Sequence, residues 1–151
     1  VYRGERRDRR ETISKLCALR DLCGKKSTHG KSMIRTGIDL IEIERVRVLI
    51  ERYGKRFLER VFTPQEIVEL GENVASLAGR YAAKEAVAKA LGTGIGAVAW
   101  REIEILRGPQ REPVLHLYGK AARLAGELGL DEWSVSISHN RTTAIALVVG
   151  G

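Results

Sequence analysis

Apolar positions along the chain alternate between period two and period 3.6, and the switches mark out the elements. IRTGIDLIEI, from Ile34 to Ile43, is rich in β-branched residues and predicts a first strand, oddly interrupted by Gly37 and Asp39. Val46, Leu49, Ile50 and Tyr53 then recur at i, i+3, i+4 and i+7, predicting a helix over 42–53 that Gly54 stops. Thr63-Pro64-Gln65-Glu66 carries the residues of a capping box with proline at the first helical position. A long helix follows over 74–91, ending at Gly92. Trp100–Leu106 and Val114–Tyr118 alternate around a turn at Gly108-Pro109, which predicts a hairpin-like pair. A short helix over 119–128 precedes two more alternating strands, WSVSISH and TTAIALVV, joined by a turn at Asn140-Arg141. Strands joined by hairpins favour an α+β fold with a mostly antiparallel sheet packed against the long helix.

Charge changes the picture of the first 32 residues only. The chain of 151 residues has a formal net charge of +7, which by itself points to a polyanionic partner. Residues 1–32 hold 10 Lys/Arg against 4 Asp/Glu, whereas 33–151 hold 16 against 15. The basicity therefore belongs to an arginine-rich segment with little apolar periodicity, read as an extension of 1–32 ahead of a domain of 33–151. Both cysteines, Cys17 and Cys23, lie in that segment, so the domain has neither a disulfide staple nor a thiolate metal site. No apolar run is long enough for a bilayer and no signal-peptide pattern is present, so a cytoplasmic protein without membrane or nucleic-acid partners is expected.

Candidate chemistry gathers in two stretches. Asp39, inside an otherwise apolar strand, is either a turn former at the strand end or a ligand. In RYAAKEAVAKALGTGIG, Glu85 and Lys89 share a helix face and Arg80 and Lys84 an adjacent one, with small alanines that leave room for something to approach. The plain account of Glu85 is an i,i+4 ion pair with Lys89, worth roughly 0.2–0.5 kcal/mol. The sharper one pairs it with Asp39: two carboxylates and neighbouring lysines suit magnesium bound together with a phosphate. Gly92, Gly94 and Gly96 make neither a P-loop nor a dinucleotide fingerprint; Gly92 serves as a helix stop, and the other two suggest backbone close to a ligand. His139 ends WSVSISH, and Arg45, Arg52 and Arg56 fall along one edge of the first helix, either a solvated face or a surface for an acidic protein. His116 reads as structural or solvent-facing.

Together GIDLIEIERV, FTPQEI, AGRYAAKEAVAKALGTGIG and WSVSISH resemble the holo-acyl-carrier-protein synthases, the small type of phosphopantetheinyl transferase, over residues 33–150. The resemblance implies the fold of those enzymes and transfer of 4'-phosphopantetheine from coenzyme A to a serine of apo acyl carrier protein in fatty acid synthesis, with release of 3',5'-ADP. It implies Asp39 and Glu85 as magnesium ligands and Lys89 on the pyrophosphate. It places Arg80, Lys84, Gly92, Gly94, Gly96 and His139 around coenzyme A, and Arg45 and Arg52 against the acidic carrier protein. It also implies a homotrimer with coenzyme A sites at subunit interfaces. Two rival readings are a non-catalytic binding module for coenzyme A or an acyl carrier, and a basic nucleic-acid-binding protein. The first does not require two metal-ligating carboxylates, and the second rests on the charge of residues 1–32.

Overall fold

The computed structural model describes residues 33–151, and the expectations for residues 1–32 lie outside the described residues. Strand β1 (Arg35–Glu42) leads into α1 (Ile43–Tyr53), α2 (Lys55–Val61), α3 (Pro64–Leu70) and the long α4 (Val74–Ala90). After a 3-10 turn at Trp100–Glu102 come β2 (Ile103–Arg107), β3 (Pro113–Leu117), α5 (Gly119–Glu127), β4 (Trp133–His139) and β5 (Thr143–Gly150). The strands form an antiparallel three-stranded sheet, β1-β5-β4, and a β2-β3 hairpin. No helix among the described residues is long and apolar enough to cross a membrane.

The α+β architecture follows the sequence reading, with two local differences. Gly54 stops α1 as expected, but the chain turns there at φ 53° straight into α2, whose seven residues are too few to reveal a helical period. Trp100 opens a 3-10 turn instead of a strand. The Glu102 carboxylate accepts the Ala99 amide at 2.9 Å, and the Trp100 ring packs on Tyr81 with centroids 4.6 Å apart.

Helix α4 lies at the centre of this domain, with β1, β5, β4, β2 and α1 all packed against it. From Leu77 to Ala90 every residue is buried except Tyr81, Glu85 and Lys89. A helix enclosed on nearly all sides needs small residues so that several neighbours can approach. The buried alanines at 82, 83, 86 and 90 meet that need, and β1 makes its approach at Ala86 and Ala90 through Gly37. The three exceptions recur every four residues and make one open stripe.

Gly37 sets the approach of strand to helix. It shares a face of β1 with Asp39 and Ile41, and a Cβ there would fall inside the Ala86 carbonyl. Gly37→Ala should therefore cost about 1–3 kcal/mol or more by overpacking, read as a lower urea midpoint. An unchanged midpoint would mean the strand and helix are not this close. The same alternation turns Asp39 toward the helix and leaves Ile38 and Leu40 on the outer face.

Candidate active site

Asp39 and the open stripe of α4 meet at the free edge of β1. The Lys89 ammonium donates to Asp39 Oδ1 at 2.8 Å and to the Ile38 carbonyl at 2.9 Å. The i,i+4 pair of Glu85 with Lys89 does not form, and among the described residues no cation lies within ion-pair distance of Glu85. Burial pushes the Glu85 carboxyl above the usual carboxylate range and the Asp39 charge pushes it further, while Lys89 and Arg45 act against both. Burial, followed by the charge of Glu85, likewise raises Tyr81. Two carboxylates from separate elements thus sit within electrostatic reach, one held by lysine and the other without a cation.

Their chemistry fits magnesium. Hard oxygen donors suit it, and it typically takes one or two carboxylates, leaving its other positions to water and phosphate. Among the described residues no group of three or more His, Cys, Asp or Glu gathers as a metal cage. Asp39 and Glu85 could therefore supply only part of such an ion's coordination.

Beyond Tyr81 a groove of about 510 Å³ runs past Trp100 and Phe57, with Arg45, Arg56 and Arg60 in its lining. Arg45 and Arg56 both line that groove. Arg52 does not line the groove; its guanidinium lies over the ring of Tyr53, 5.2 Å from the centroid. Arg60 and the aromatic floor escaped the sequence reading because they depend on α2 and on the fold around Trp100. Tyr81 alone carried a signal, standing four residues before Glu85.

A second cavity of about 170 Å³ shares no lining residue with the first and brings Arg80 and His139 together with Arg107, Arg111 and Ser76. Arg80 is 6% exposed; it donates to Glu69 at 2.8 Å, while its Nε is buried with no partner among the described residues. Such a guanidinium suits an anion. Arg107 and Arg111, from the β2-β3 hairpin, went unrecognised in the sequence because an exposed turn arginine is unremarkable there.

Lys84 is placed otherwise than expected. It is fully buried, 2.6 Å from the Glu66 carboxylate, and donates to the carbonyls of Val61, Trp100 and Ile103. Burial pushes its pKa below the usual lysine value and Glu66 opposes that shift. With its ammonium saturated by four oxygens inside the core, it has no face toward coenzyme A. Glu66 also accepts the Thr63 and Ile105 amides, at 2.9 and 3.0 Å, and Thr63 donates to Glu104 at 2.5 Å. Burial opposes ionisation of Glu104, but the hydroxyls of Thr63 and Tyr118 hold it below the ordinary range. The capping box of FTPQEI is thus the start of a buried network that ties α3, α4 and β2 together.

The glycine run has a conformational basis that needs no ligand. Gly92 at φ 78° closes a Schellman motif, with its amide on the Lys89 carbonyl and that of Thr93 on Ala88. Gly94 and Gly96 also have positive φ, at 77° and 110°, and a Cβ on either would meet nothing within 4 Å. His116 is exposed on β3.

A family model described as the 4'-phosphopantetheinyl transferase superfamily matches residues 35–147. The holo-[acyl-carrier-protein] synthase of Herpetosiphon aurantiacus is 50% identical over 125 residues, which are 78% of this chain and 98% of that protein. The one from Gloeobacter violaceus is 46% identical over 118 residues, covering 76% of this chain and 89% of its own length. Among solved structures, the Helicobacter pylori holo-[acyl-carrier-protein] synthase in complex with coenzyme A superposes with a TM-score of 0.71 at 37% identity. That match covers 79% of this chain and all of the other. The Neisseria meningitidis enzyme gives 0.71 at 39% identity, over 79% and 99%.

Proposed function

The chain belongs to the 4'-phosphopantetheinyl transferase superfamily, and on that footing we propose how its residues divide the work of the reaction. It transfers 4'-phosphopantetheine from coenzyme A to a serine of an apo acyl carrier protein. The serine hydroxyl gives up its proton to solvent as its oxygen bonds to the phosphorus that bears the pantetheine arm, the bond from that phosphorus to the bridging oxygen breaks, and 3',5'-ADP leaves with that oxygen on its phosphate. Such a transfer depends mainly on positioning and on neutralising phosphate charge.

The observation that carries the division of labour is the meeting of Asp39, Glu85 and Lys89 at the edge of β1. Asp39 and Glu85 would hold magnesium, and Lys89 would bind the pyrophosphate. The ion supplies charge neutralisation of the phosphate oxygens when bound. Arg80 and His139 would take the more distant part of coenzyme A in the cavity they share, and the loop of Gly92, Gly94 and Gly96, at the other end of α4, would approach a different part of it. Arg45 and Arg56, with Arg60, would receive an acidic carrier surface in the aromatic-floored groove. Incubation with coenzyme A, magnesium and an apo carrier should add the mass of phosphopantetheine to the carrier, and chelation should stop it. Full activity in chelator would overturn the metal assignment. In the same assay Arg45→Glu should raise KM for the carrier and leave KM for coenzyme A alone; equal rises would end that division.

Ile38 and Leu40 on β1 pair with Leu147 and Ile145 on β5, and all four are exposed, an apolar face lying behind Asp39. We propose that further copies of this chain cover that face in a homotrimer, in keeping with a cytoplasmic enzyme. Sedimentation at the mass of a monomer would overturn this.

A further inference from the structure

We propose that Lys89 is the resident counter-ion of the metal corner: it occupies Asp39 in the free protein, excludes a divalent ion, and gives the carboxylate up when a pyrophosphate offers it another anion. The inference rests on the reading of Asp39 and Glu85 as metal ligands.

The geometry makes the two cations rivals. Lys89 Nζ is 2.8 Å from Asp39 Oδ1 and 2.9 Å from the carbonyl of Ile38, so successive residues of one strand hold it. Magnesium binds carboxylate oxygen at about 2.0–2.1 Å. An ion on the same Asp39 oxygen would therefore lie within a few ångströms of the ammonium, close enough for the like charges to repel. The lysine is free to leave: it is about half exposed, whereas Asp39 is anchored in β1 and only 18% exposed. Its stem starts from the same open stripe as Glu85, one turn on, so the ammonium can reach either Asp39 or an anion bound against the stripe. Glu85, with no cation within ion-pair distance among the described residues, is the half of the corner left open. A bare divalent ion must displace Lys89 into water. An ion arriving with coenzyme A finds the lysine re-paired on phosphate. Metal and coenzyme A then bind with positive coupling, and by linkage each tightens the other by the same factor.

The test is Mn²⁺ binding to the full chain, read from the electron paramagnetic resonance of the free ion, without a carrier and so without turnover. Lys89→Gln should bind Mn²⁺ about tenfold more tightly than wild type. Arg45→Gln, which removes the other cation acting on Glu85 but not one seated on Asp39, should change affinity by less than about threefold. Coenzyme A should tighten Mn²⁺ binding more in wild type than in Lys89→Gln. Unchanged or weaker binding in Lys89→Gln, equal tightening by both variants, or an equal gain from coenzyme A would overturn the proposal. Asp39→Asn should lose Mn²⁺ binding. Wild-type affinity there would overturn the metal reading itself, a result distinct from failure of the lysine's role.

Discussion

Asp39→Ala and Glu85→Ala should each lower phosphopantetheine transfer by about 10³-fold or more, the scale on which charge-neutralising groups contribute to phosphoryl transfer. Neither should unfold the protein. Glu85 is expected to do the reverse of a structural residue, because burial and the Asp39 charge raise its pKa. The native state then binds a proton more readily than the unfolded chain does, so stability falls as pH rises from the ordinary carboxylate value through the raised one. Glu85→Gln removes that penalty. In chelator it should melt at or above wild type near neutral pH, and the gain should vanish as pH drops through the same window. Loss of activity with a raised or equal Tm marks a group held at a cost for function. Retained transfer in both alanine variants would refute the assignment. Loss of transfer together with a large fall in Tm would make Glu85 structural instead.

Much of this site was legible in the sequence because each part has a local signature. Asp39 stands out in GIDLIEI since a strand alternates, and a carboxylate on the inward face is a visible exception. Glu85 and Lys89 share a face by helical arithmetic alone. The TPQE start was legible for the same reason: a capping box is written within four residues, and Thr63 and Glu66 form it. What could not be read depends on packing between distant segments. The alanines of α4 fit a helix making room for a ligand as well as one crowded by strands, and only Gly37 against Ala86 decides it. The target of Lys89 lies 50 positions away, so the nearer Glu85 was the natural guess. Arg107 and Arg111 reach Arg80 and His139 only through the hairpin's position.

Lys84 is the sharpest such case, and its replacement carries the largest expected effect on stability. Spacing puts it beside Glu85 and makes it look like a phosphate ligand, yet α4 is covered on that side too. Lys84→Met leaves the Glu66 carboxylate, itself fully buried, without its cation and orphans up to three carbonyls. Breaking a buried pair from one side costs about 3–5 kcal/mol, a large part of the roughly 5–15 kcal/mol that holds a domain folded. Lys84→Arg should not rescue it, because a planar guanidinium cannot follow the ammonium's contacts in a site of this size. Pairing Lys84→Met with Glu66→Gln should restore part of the loss, since the amide removes the stranded charge and its oxygen can still accept one of the two backbone amides. Urea unfolding of the single and double variants measures that coupling. A ligand-contact role makes the opposite forecast: an unchanged midpoint with a raised KM for coenzyme A. A single variant that unfolds at the wild-type urea concentration would therefore take Lys84 out of the core and return it to the phosphate.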